Sequence, residues 1–157
     1  MTPQPDLHRL AYLIDTEAAL LRGFLALLER EEALLVEGDT DALLALTREK
    51  TERYHQLQHI HDDRALLLGR HRLPNSDETI RELCRTLPAT LSRWDEILEL
   101  ARAARARNEL NGKLITERMQ HNQAALSVLL AAADQPQLYD AAGLSRPSGG
   151  GRHLGSA

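Results

Sequence analysis

The chain has 157 residues, 43% of them apolar, which is enough for one ordinary domain to fold without metal or disulfide staples. Its net charge of −4, with acids and bases interspersed, carries no electrostatic footprint for nucleic acid or an anionic membrane surface. Leu and Ala supply nearly all the apolar content, aromatic residues number only five and β-branched residues are sparse, a composition that excludes a sheet and favours helices.

The first six residues, Met1 to Asp6, lack the basic region and apolar core of a signal peptide, and charges interrupt every apolar stretch before it could span a bilayer. One cysteine, Cys84, forms no internal disulfide. The expectation is a cytoplasmic protein with no membrane insertion. Asp6 is placed to cap a first helix running to about Glu37, where Gly38 supplies the left-handed residue that commonly ends helices. Leu7, Ile14, Leu21, Leu28 and Leu35 repeat every seven residues, beside a second row of Leu13, Leu20, Leu27 and Leu34. Leu10, Phe24 and Leu25 widen the stripe, which suits packing against two neighbours in a bundle.

Gly38 to Asp41 is short enough only for a tight turn, with Asp39 or Thr40 as the next cap, so the second helix folds back antiparallel. That arm, roughly Asp41 to His71, carries Leu43, Leu46, Tyr54, Leu57, Ile60, Leu67 and Leu68. Lys50, Arg53 and Arg64 fall near its apolar face, which predicts a less well buried arm. Arg72 to Ser76 breaks the pattern, and Asn75 with Glu78 resembles a capping box for a short helix to about Thr86. Pro88 marks a restart, and nothing interrupts the helical pattern from there to about Ala133.

This last helix is apolar at its ends and small and polar in its middle, where Asn108, Asn111, Gly112 and Asn122 lie on or beside its seven-residue rows. Glycine costs a helix interior about 1 kcal/mol relative to alanine, and buried asparagines need partners. The stretch therefore either packs closely on another backbone or faces something other than a core. After Gln135-Pro136 the composition turns to Gly, Ser, Pro and Ala, the signature of a disordered tail, which still holds Leu138, Tyr139 and Leu144. The fold class expected is all-α: an antiparallel bundle or coiled-coil hairpin of three to four helices over 1–135, with a very long last helix and a flexible tail over 136–157.

Catalytic constellations are missing. Glu52 and His55 have the Glu-x-x-His spacing of di-metal bundles, but no second copy occurs. His55 and His59, four residues apart with His61 and Asp62 nearby, could clip a metal to the helix surface, yet a solvated polar face explains them as well. No phosphate-cradling loop or nucleophile elbow is present, and Cys84 reads as half-buried packing on the short helix. Arg102, Arg105 and Arg107 are surrounded by Glu96, Glu99 and Glu109. These observations point away from an enzyme and imply no cofactor. They leave a protein-binding module, with a metal-binding bundle or a structural coiled-coil adaptor as alternatives.

Four pieces in order are more specific: Arg93-Trp94, Asn108 through Leu114, Asn122 through Leu129, and Leu138-Tyr139-Asp140-Ala141-Ala142-Gly143. Together with Gly38-Asp39, Leu43, Leu46, Lys50 and Arg64, this series resembles the FlgN family across essentially the whole chain. The resemblance implies a cytoplasmic helical export chaperone, not an enzyme, that binds hook-associated junction proteins as cargo. It implies delivery of them to the export gate membrane protein of the flagellar type III apparatus. It places cargo binding at Asn108, Asn111, Gly112, Leu114, Ile115, Asn122, Leu126 and Leu129, and export-gate docking at Leu138, Tyr139 and Gly143. Leu126 and Leu129 also suit a bundle core. Asp140 departs from the family, which usually has Gly after Leu-Tyr. A free monomer and a free homodimer are both compatible with the pattern.

Overall fold

Helix propensity and seven-residue patterning are realised as four helices in a computed structural model that describes residues 4–121. They are α1 (Gln4–Glu37), α2 (Thr40–Arg70), α3 (Asp77–Leu83) and α4 (Pro88–His121), and no strand occurs among the described residues. Gly38, at φ +78°, takes the left-handed conformation that ends α1, and the amides of Gly38 and Asp39 both return to the Leu34 carbonyl. Asp39 then caps α2 by accepting from the Ala42 amide.

α2 runs back along α1, short α3 adds Ile80 to the base, and α4 rises again, so the three long helices run up, down, up. The ion pair Arg93–Asp15 near the base and the Leu35–Ile115 packing near the top show that α4 lies parallel to α1. α1 packs closely on both α2 and α4 and is the central helix. Its double apolar stripe follows from that position, since Leu10, Leu13, Ile14, Leu21, Leu27, Leu28 and Leu35 are all buried.

Most of the core sits at the base, where Ile14, Leu21, Leu57, Leu68, Ile80, Cys84, Trp94 and Ile97 belong to one cluster. A small second cluster, Leu35, Leu43 and Ile115, closes the top. Three local expectations need correction. α1 begins at Gln4, before Asp6, and the Asp6 carboxylate binds Arg70 and His71 at the end of α2 instead of capping. Ser76, not Asn75, caps α3 by accepting from the Thr79 amide, because the Asn75 side chain is engaged by Arg64. Cys84 is fully buried rather than half-buried. The expected continuation of α4 to Ala133 and the tail over 136–157 lie outside the described residues.

Candidate functional site

On α1, Leu10, Glu17, Phe24 and Glu31 follow one another at seven-residue steps, and on α2, Leu43, Lys50, Leu57 and Arg64 do the same. The hairpin brings these rows together, so that Lys50 pairs with Glu31 and Arg64 with Glu17. All four side chains are buried. The basic residues that suggested an open α2 therefore point inward, where acids on α1 compensate them; Arg53 lies half-buried with its guanidinium over Gly23.

The lower pair is tied into the base. Arg64 donates to Asn75 Oδ1 at 2.9 Å and lies 4.9 Å above the Trp94 ring, a cation–π distance. Trp94 Nε1 in turn donates to Asp77 Oδ1 at 2.7 Å. That bond, followed by Arg81, holds the Asp77 carboxyl below its ordinary pKa.

The upper pair recruits α4. Lys50 Nζ donates to Glu31 Oε2 at 3.2 Å and Asn108 Oδ1 at 3.0 Å. Asn111 Nδ2 donates to the Leu28 carbonyl at 2.9 Å and to Glu31 Oε1 at 2.8 Å. Its own Oδ1 is buried with no hydrogen-bond partner among the described residues. Flipping the amide would aim that oxygen at two acceptors, so the orientation is determined by its neighbours. Glu31, Lys50, Asn108 and Asn111 thus make a polar layer between the large base cluster and the small top one.

Above this layer α4 is held by few groups. Ile115 is buried against Leu35 and Leu43, with Leu34 and Leu114 half-buried at the rim. Arg118 donates to the Val36 carbonyl and lies over Gly38, so α4 has there reached the level of the α1–α2 turn. Gly112 continues the helix, and a Cβ built on it meets no described atom within 4 Å beyond its own turn of backbone. Of the two explanations the sequence left for the polar stretch, close backbone approach holds for the Asn111 side chain and not for Gly112.

Of the residues assigned to cargo by resemblance, Asn108, Asn111 and Ile115 contact the α1–α2 hairpin, Leu114 lies at the rim, and Gly112 is sterically unconstrained. Asn122, Leu126 and Leu129, and the gate-docking residues Leu138, Tyr139 and Gly143, lie outside the described residues. Sequence reasoning missed Glu17 and Glu31; their seven-residue steps opposite Lys50 and Arg64 were the available signal.

His55 and His59 line a shallow groove with Leu20 and Ile60, and His59 stands 3.5 Å from Asp63. Among the described residues no three metal-ligating side chains converge, and no helix is long and apolar enough to cross a membrane. Burial raises the pKa of the Cys84 thiol.

The FlgN family model, described as FlgN protein, matches residues 1–147. Two relatives, both named Flagella synthesis protein FlgN, come from Yersinia enterocolitica serotype O:8 / biotype 1B and from Yersinia enterocolitica. Each is 27% identical over 124 residues, spanning 78% of this chain and 80% of the relative. No solved structure matches.

Proposed function

Because this chain belongs to the FlgN family, we propose that it is a cytoplasmic chaperone of flagellar type III export. It binds hook-associated junction proteins, keeps them from aggregating, and hands them to the export gate. The observation that carries this reading is the family match over residues 1–147. The position of Arg118 at the α1–α2 turn supports it, since α4 has there reached the end of the hairpin.

In this reading the bundle over 1–135 is the chaperone body and 136–157 a flexible tail. Cargo is held by the upper part of α4 and the segment after it, from Asn108 and Asn111 through Leu114, Ile115, Asn122, Leu126 and Leu129. Leu114, Ile115, Leu126 and Leu129 are the apolar anchors for a cargo helix. Leu138, Tyr139 and Gly143 dock on the gate.

The test is capture of the two junction proteins by the full purified chain, compared with a chain lacking residues 134–157 and with Tyr139→Ala. Capture by the full chain is expected, and truncation weakens capture or gate docking. Tyr139→Ala impairs delivery to the gate more than capture. Failure of the full chain to bind either junction protein overturns the chaperone reading, and equal loss of capture and delivery in Tyr139→Ala overturns the separation of the two surfaces.

A further inference from the structure

The lower and upper parts of the described α4 belong to different clusters, a large one at the base and a small one at the top. Below Asn108 it packs on the base core through Trp94 and Ile97, and Ala104 is buried above them. Among the described residues above Asn111, Ile115 is buried in the top cluster with Leu114 half-buried beside it, and Arg118 adds a bond to a carbonyl at the helix turn. Between the two lies a layer in which one buried amide oxygen has no donor among the described residues. Glu31, Lys50 and Asn111 are buried polar groups between two apolar clusters, and water competes for their hydrogen bonds once the layer opens.

Gly112 lies immediately above the layer, and the open space around its Cα removes the usual steric reason for a glycine inside a helix. What remains is its backbone freedom, which makes the helix easier to unwind at that residue. The composition of the layer, the small size of the cluster above it and the glycine at its edge all favour the same motion.

We infer that α4 hinges at Asn111–Gly112, so that the helix beyond it swings away from the α1–α2 hairpin as a unit while the base stays folded, and that this opening gates cargo capture. The gating rests on the chaperone reading above; the hinge does not. In the closed state Ile115 is spent on Leu35 and Leu43, and in the open state it and Leu114 are released for a cargo helix. Arg118 is the latch.

Hydrogen exchange on the full chain tests the hinge without any partner. Amides of residues 113–118 are expected to exchange through a local opening, well before those of residues 93–104. Gly112→Ala, whose methyl group has room, should slow exchange of the upper segment about five-fold and leave the lower one unchanged. Arg118→Ala should accelerate it several-fold. Uniform exchange along α4, or variants that change both segments alike, overturns the hinge.

Capture of a junction protein by the same variants tests the gate: Gly112→Ala should bind more slowly and Arg118→Ala faster. Variants that shift exchange as expected but capture cargo at the wild-type rate overturn gating. A wild-type chain that captures nothing overturns the chaperone reading and the gating built on it, while the exchange pattern still decides the hinge.

Discussion

Lys50 is the residue on which most of the polar layer depends. It meets the Glu31 carboxylate and the Asn108 side chain while only 4% exposed. Removing one member of a buried ion pair strands the other charge, at a cost of about 3–5 kcal/mol, whereas replacing both by apolar groups is often neutral. Lys50→Met should therefore lose about 3–5 kcal/mol in urea denaturation, and Lys50→Met with Glu31→Leu should regain most of it. Asp77 titrates in a direction that can be checked. Its folded pKa is lowered, chiefly by Trp94, so its contribution is present above the ordinary aspartate value and fades as pH falls through the lower folded one. Trp94→Phe removes the largest cause, so the variant should lose less stability than wild type on acidification below about pH 4. Denaturation curves at neutral and acid pH make the comparison.

At the scale of elements, the ends of α1 and α2 contrast. α1 ends on glycine, the residue its left-handed closing conformation favours, and that stop was readable in the sequence. α2 ends the same way without one: Arg72 adopts φ +58°, and the Leu73 amide returns to the Leu68 carbonyl. The sequence marks the break, where the pattern stops at Arg72, but not the left-handed residue, because that conformation is held by Leu68 and Leu73 packing with the base cluster rather than by local preference. An L-residue in that conformation costs about 1–2 kcal/mol, partly offset by glycine's greater unfolded-state entropy. Arg72→Gly should raise stability by about 0.5–1 kcal/mol, visible as a higher denaturation midpoint with an unchanged slope. The α3 cap illustrates the same competition. Asn75 and Ser76 are both good cap residues, and the one that Arg64 engages is not free to cap.

Across the whole molecule, stability is unevenly distributed. Leu57 is fully buried in the large base cluster, while Leu43, almost as buried, belongs to the small top one. Leu57→Ala should lower global stability by about 2–5 kcal/mol. Leu43→Ala should act mainly on local opening at the top, seen as faster exchange near Ile115 with a smaller shift in the global midpoint. An equal global effect from both would mean that the two clusters unfold as one. What the sequence determined by itself was local and periodic: helix class, the Gly38 turn, the antiparallel hairpin and the wide stripe on α1. Those follow from propensity, chain length and seven-residue spacing. Only the tertiary structure decided that Glu17 and Glu31 would meet Arg64 and Lys50, that Asn108 and Asn111 would join the upper pair, and that Gly112 would stand in open space. Each of these depends on which faces three separate helices present to one another, and that is set by packing the whole core rather than by any one stretch of chain.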